Sequence, residues 1–282
     1  MNDILFLTGI KKIITSFDNY LIDLWGVIHN GIECNYDAIK VLENLKKNKK
    51  KIILISNAPR PHYVVKKFLK KIYLKPSLYD FLVTSGDVTQ NYIKSKYYNK
   101  NFYHLGPKRD EDLYVNLKIK KSSISHADFV LCTGLTDQKK INNYFLLLKK
   151  IKQRRLKLLC ANPDIIVYKG DKPEYCAGFL AKKFENFGGN SKYFGKPYKN
   201  LYEYCFQKFL EKFKKKINLK KTLVIGDNLN TDILGANNIN VKSLFILGGI
   251  HKDQFYRENI ISVLKKINKK IRINFFQKQL IW

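Results

Sequence analysis

The chain has 282 residues, enough for two domains or one large domain with an insertion, and 45% hydrophobic with 27% charged residues makes it globular rather than fibrous or disordered. A net charge of +30 raises the question of nucleic acid or an anionic membrane, but the basic residues are nearly all Lys, spread evenly among Asn, Ile, Tyr and Phe, as an A- and T-biased coding composition produces. No specific nucleic-acid partner is expected, and because nowhere do 18 apolar residues run together, neither is a membrane span; a general attraction for anionic substrates remains.

Short apolar runs that end in small or polar residues alternate with segments of helical period, the pattern of a parallel sheet covered by helices. In chain order the spacing predicts a strand at YLIDL (20–24), a helix over 36–47, a strand at KIILIS (51–56), a helix over 61–71 and a strand at FLVTS (81–85). Strands at DFVLC (128–132) and LKLLC (156–160) follow, with helices over 138–150 and 176–187. The last third offers a helix over 201–213, a strand at TLVIG (222–226), a short helix over 231–236 and a strand at VKSLFIL (241–247). The opening MNDILFLTGIKK has too short an apolar run for a secretory core, and the five widely spaced cysteines contain no CxxC pair; a reducing cytoplasm is the expected setting.

In open parallel α/β sheets ligands bind beyond the carboxyl ends of the strands. Four such places carry suggestive side chains: Asp23, Ser56-Asn57, the Gly195-Lys196-Pro197 turn, and Gly226-Asp227-Asn228 with Thr231-Asp232. Each alone reads as easily as a turn or a helix cap. Together and in this order they supply a carboxylate nucleophile, a hydroxyl and amide to hold phosphate, a lysine and a second carboxylate pair, which is the inventory for phosphoryl transfer through an aspartyl-phosphate.

With DLWGVIHNG, LISNAPRP, VTSGDVT, CANPD, YCAGFLA, YFGKP and VIGDNLNTDILGA in sequence, the chain resembles the haloacid dehalogenase (HAD) superfamily, class IIA, the NagD-like branch, in a subfamily with DLWGV in its first motif. The resemblance runs from about residue 8 to the final LIW. It implies a Rossmann-like α/β core built from residues 1–85 and 187–282 and an inserted α/β cap over 86–186. It implies a Mg²⁺-dependent hydrolase of a small phosphorylated metabolite, a sugar phosphate among the candidates. Asp23 would be the nucleophile, Ser56 and Asn57 the phosphate ligands, and Lys196 the counter-charge. Mg²⁺ would be held by Asp23, the backbone carbonyl of Trp25 and Asp227, with Asn228 and Asp232 in support. His29 is expected to be structural. From the cap, Asn162 and Asp164 are candidates for substrate contact, as are Thr133 and Asp137, for which a turn role is the simpler reading. Self-association is left open.

One position departs from the family. Where most of these phosphatases carry a second Asp two residues after the nucleophile, to protonate the leaving alkoxide and then activate water, this chain has Trp25. Indole does neither, and general acid–base catalysis is typically worth about 10²–10⁴-fold. Three explanations compete: a substrate whose leaving group needs little protonation, or whose acid comes from the cap or from itself; a carbon–halogen substrate, disfavoured because GDNLNTD keeps the metal carboxylates; or a phospho-ligand-binding or regulatory protein without turnover.

Overall fold

The computed structural model of the chain describes residues 4–169, 172–250, 260–268 and 270–282. Its strands, in chain order, are β1 (Leu5–Phe6), β2 (Asn19–Asp23), β3 (Lys51–Ser56), β4 (Phe81–Thr84), β5 (Asn101–Leu105), β6 (Lys120–Lys121), β7 (Phe129–Cys132), β8 (Lys157–Cys160), β9 (Ile166–Lys169), β10 (Lys172–Tyr175), β11 (Ser191–Tyr193), β12 (Thr222–Gly226), β13 (Lys242–Ile246) and β14 (Phe275–Gln277). The α-helices are α1 (Tyr36–Lys47), α2 (His62–Lys71), α3 (Ser85–Lys96), α4 (Ile141–Gln153), α5 (Ala177–Asn186), α6 (Lys199–Phe213), α7 (Leu234–Asn238) and α8 (Ile260–Asn268). No helix among the described residues is long and apolar enough to cross a membrane.

The chain divides into two compact units, one of Met1–Ser56, Lys66–Val83 and Lys196–Trp282, the other of Asn57–Val65 and Thr84–Gly195. The first is built on a seven-stranded sheet in the order β1-β14-β13-β12-β2-β3-β4. β12, β2 and β3 pair in parallel at its centre, with Ile22 opposite both Ile225 and Leu54. The middles of these strands are apolar runs rather than alternating ones, and all their residues but the half-buried Lys51 are buried, as in a parallel sheet covered on both faces. Helix α1 shows how the cover is made. Asn35 caps it by accepting from the amides of Asp37 and Ala38, and Ala38, Val41, Leu42 and Leu45 recur at helical spacing to form its buried stripe. At the other side of the sheet, Phe245, Leu247, Val263, Leu264, Ile273 and Phe276 form a separate apolar cluster under α8.

The second unit has its own five-stranded sheet, β11-β8-β7-β5-β6, with parallel pairings, and an antiparallel hairpin of β9 and β10. Its core packs Val130, Leu148, Ile151, Leu158, Leu180 and Phe184 between the sheet and α4 and α5. Helix α3 begins with a reciprocal cap: the Thr84 hydroxyl accepts from the Asp87 amide while Asp87 Oδ2 accepts from the Thr84 amide.

The mixed α/β architecture with a parallel sheet is the one expected, and Lys51–Ser56 and Thr222–Gly226 fall on the predicted strands to the residue. The helix expected over 138–150 is shifted to Ile141–Gln153, since Asp137 and Gln138 are used otherwise: the Asp137 carboxylate accepts from the Lys139 amide, and the Gln138 amide pairs with the Tyr175 backbone. The segment after β12 opens as a π-helix, Leu229–Ile233, before α7, and thus starts earlier than the 231–236 expected.

Candidate active site

The register of the central strands decides which side chains meet. Asp23, the last residue of β2, pairs with Ile55, so Ser56 stands one residue further along the neighbouring strand tip. Ile22 pairs with Ile225, which sets Gly226 beside Asp23 and Asp227 one residue beyond. Three positions far apart in sequence are thereby brought to one end of one sheet by backbone pairing alone.

A lysine completes the group. Lys196 Nζ donates to Asp23 Oδ1 and, at 2.8 Å, to Asp232 Oδ1. The peptide between Lys196 and Pro197 is cis. Asp232 also accepts from the Asn228 amide through its other oxygen at 3.2 Å, and the Asn228 side chain caps the π-helix by accepting from Asn230 N at 2.9 Å. Asp232 thus contacts the lysine with one oxygen and, from within the π-helix, the backbone amide of its cap residue Asn228 with the other. Asp227 Oδ2 accepts from the amide of Ile250 at 2.8 Å, in the loop after β13.

All four charged groups are buried: Asp23 and Asp227 are 5% exposed, Lys196 2% and Asp232 1%. Burial pushes the Asp23 carboxyl well above the ordinary carboxylate range; the Lys196 ammonium pulls it back, and the charges of Asp232 and Asp227 add to the upward push. Carboxylate oxygens of Asp23, Asp227 and Asp232 lie within 4.8 Å of one another. Among the described residues three carboxylates surround one ammonium in a buried space, a charge balance that favours a bound cation. Among the described residues the group is all carboxylate, a donor set that fits a hard divalent ion such as Mg²⁺.

The loop after β2 is tied down from several directions. Gly26 N donates to His29 O at 2.8 Å, the amides of Ile28 and His29 both reach Leu24 O, and His29 bridges to Cys34 on the returning strand of the loop. Gly26 sits at φ +82°, and a Cβ there would overlap the Asp227 carboxylate, so the peptide following Trp25 lies against that side chain. The Trp25 indole is half-buried. It packs edge-on against His29 with centroids 5.2 Å apart, and His29 in turn against Phe68 at 5.4 Å. Gly31, at φ +89°, gives the indole its space: a Cβ would lie 2.6 Å from Trp25 Cη2 and Cζ2. His29 has a structural place, as expected: its Nδ1 accepts from Gly31 N at 3.0 Å, and burial holds its pKa down at about 4.

The remaining predicted residues lie in the second unit. Asn57 is buried there and donates to Asp164 Oδ1 at 2.9 Å, while the Asp164 amide donates to Asn162 Oδ1 at 3.0 Å, so these three form one hydrogen-bonded set. Thr133 is buried against His104, whose Nε2 lies 3.0 Å from the hydroxyl; the other ring nitrogen meets Tyr114 Oη at 3.2 Å. Asp137 forms a turn with Lys139. The sequence reading passed over the Ile250 amide on Asp227, although the Gly248-Gly249 pair directly after an apolar strand marks a tight approach of backbone at a strand tip. It also passed over His104, which carried no motif.

Known proteins share this sequence pattern and fold. Residues 20–120 match the haloacid dehalogenase-like hydrolase family and residues 193–265 match the HAD-hydrolase-like family. A solved structure from Brucella suis 1330, a hydrolase of the haloacid dehalogenase-like family, is 30% identical, with 97% of this chain and 99% of that one covered and a TM-score of 0.87. The chain belongs to this family of hydrolases. A structure from Cytophaga hutchinsonii described as a possible sugar phosphatase (19% identity, 99% of both chains, TM-score 0.81) shares the fold. So does a p-nitrophenyl phosphatase from Archaeoglobus fulgidus (19% identity, 94% of this chain and 97% of that one, TM-score 0.72). No curated protein matches the chain.

Proposed function

We propose that the protein is a Mg²⁺-dependent phosphatase of the NagD-like branch, in the subfamily with DLWGV in its first motif, acting on a small phosphorylated metabolite such as a sugar phosphate. The observation that carries this reading is the buried Asp23–Lys196–Asp232 ion triad beside Asp227 at one sheet end. Asp23 attacks phosphorus, and Lys196, held by Asp23 and Asp232, balances the charge of the nucleophile and the arriving phosphate. Ser56 and Asn57 bind the phosphoryl oxygens. Asp23, Asp227 and the Trp25 carbonyl would hold Mg²⁺, which when bound takes up phosphoryl charge; Asn228 and Asp232 keep the acidic loop in place. Residues 86–186 act as the cap, with Asn162 and Asp164 toward the substrate. The two relatives described as phosphatases support the reaction class. A cytoplasmic setting is supported by the five unpaired thiols.

The test is a panel of phosphate esters with and without Mg²⁺. Metal-dependent phosphate release that disappears in Asp23→Asn is the expected result, and equal release by that variant removes the assignment. A second reading, a phospho-ligand-binding protein without turnover, is favoured by Trp25 alone. It predicts tight ligand binding with no release from any ester.

A further inference from the structure

We infer that this enzyme is selective for phosphates whose leaving group departs as a stable anion, an aryl oxide or a carboxylate, and that Trp25 sets this selectivity. The inference rests on the phosphatase reading above. Its basis is the loop that carries the residue two after the nucleophile. In that loop the indole is fixed, edge-on to His29 and seated over Gly31, whose missing side chain is what admits it. The backbone bonds of Gly26, Ile28 and His29 close the loop on itself around the indole.

Among the described residues of this unit, the groups that neighbour Asp23 and Trp25 do not stand ready as a proton donor. His29 is 4% exposed, enclosed between Trp25 and Phe68, and its Nδ1 already accepts the Gly31 amide. Lys196 is committed to Asp23 and Asp232. Asp227 accepts from the Ile250 amide, and Asp232 from the Asn228 amide and Lys196. With no acid placed by these groups, the oxygen–phosphorus bond must break with its electron pair leaving on oxygen. Asp23 Oδ bonds to phosphorus, the ester bond breaks, and the leaving group departs as RO⁻ without a proton. Water then adds at phosphorus, the bond to Asp23 breaks with its pair returning to the carboxylate, and both water hydrogens stay on the phosphate as H₂PO₄⁻. Charge and atoms balance without an external acid or base. Such a route is fast only when RO⁻ is weakly basic, and a planar aryl or acyl group is also what an indole packs against best.

The experiment measures kcat/KM with Mg²⁺ for p-nitrophenyl phosphate, phenyl phosphate, acetyl phosphate and an alkyl phosphate, in the wild type and in Trp25→Asp and Trp25→Phe. The wild type is expected to favour p-nitrophenyl and acetyl phosphate over the alkyl ester by about 10²–10⁴-fold, the factor that general acid catalysis is worth. Trp25→Asp narrows that gap at least about tenfold, and Trp25→Phe keeps it. A wild type that hydrolyses alkyl and p-nitrophenyl esters within a few-fold of each other overturns the inference, since an acid then comes from elsewhere, while the phosphatase reading stands. If Trp25→Asp fails to fold, the wild-type ratio alone decides. Release from none of the four, unchanged by Asp23→Asn, overturns the phosphatase reading and this inference with it.

Discussion

Asp232 holds Lys196 at 2.8 Å by one carboxylate oxygen while its other oxygen takes the Asn228 amide, so the lysine is anchored to the loop after β12 as firmly as to Asp23 on β2. Among the described residues the lysine is the cation that pairs with Asp23 and Asp232, and removing it takes that pairing away. Lys196→Met is expected to abolish phosphate release and, in metal-free buffer, to lower the unfolding free energy by about 3–5 kcal/mol, the cost of breaking a buried pair on one side. Urea denaturation with and without Mg²⁺ checks this. A wild-type midpoint in both buffers shows that the triad contributes nothing to folding.

Lys196 donates to Asp23 and Asp232, while Asp227 takes the Ile250 amide, so a divalent ion should depend on Asp227 most. Mg²⁺ at about 100 times its dissociation constant stabilises a binding protein by about 2.7 kcal/mol. The wild type should show a rise in melting temperature with Mg²⁺ that Asp227→Asn loses, while the metal-free melting temperature changes little because Asn still accepts from Ile250 N. A retained Mg²⁺ shift in that variant would move the metal to other ligands.

Gly31 is required twice, by its positive φ and by the indole over it. Gly31→Ala is expected to cost about 1–3 kcal/mol, the usual magnitude for a side chain forced into a disfavoured backbone region. It should also shift the tryptophan emission, since Trp25 is one of only two tryptophans in the chain. Combining Gly31→Ala with Trp25→Phe should cost less than the sum of the two changes. Strict additivity would mean that the indole does not press on this glycine.

His104 is half-buried between Thr133 and Tyr114, and burial first, then Lys121, lowers its pKa to about 4, with Glu111 opposing. Its folded pKa lies below the unfolded value of about 6.5, so on acidification the unfolded chain takes up the proton first. The stability this neutral ring contributes is complete above about pH 6.5, falls as the pH drops from there toward 4, and changes no further below. His104→Gln is expected to flatten the fall of melting temperature across that window. An unchanged slope would mean that His104 titrates normally in the folded protein.

Much of the site was legible because its parts sit at strand ends, where a run such as KIILIS followed by a polar pair announces both the strand and its tip. The charges on Asp23, Lys196, Asp227 and Asp232 had to be read as a set, since each alone has an ordinary explanation as a cap or turn. Helix α3 was not legible by period: its buried face mixes Ser85, Gly86 and Thr89 with Val88 and Ile93, and small polar residues blur an apolar stripe. The Thr84 and Asp87 spacing was the available signal. Strand β5, NFYHL, was hidden because only Phe102 and Leu105 are buried in it, and the hairpin of β9 and β10 because its register has no apolar alternation. The bond from Ile250 to Asp227 depends on where β13 stops, which pairing with β12 and β14 decides and local composition does not.

The bridge between His29 and Cys34 ties the only cysteine that is not buried to the loop that carries Trp25. Cys132, Cys160, Cys176 and Cys205 are enclosed, and burial raises their thiols well above the ordinary range. Cys34, half-buried and with its thiol raised less by burial, is therefore the cysteine of the native protein that a maleimide dye reaches most readily. A fluorophore coupled there stands on the loop that carries Trp25, eleven residues after the nucleophile, and reports ligand arrival with no engineered residue.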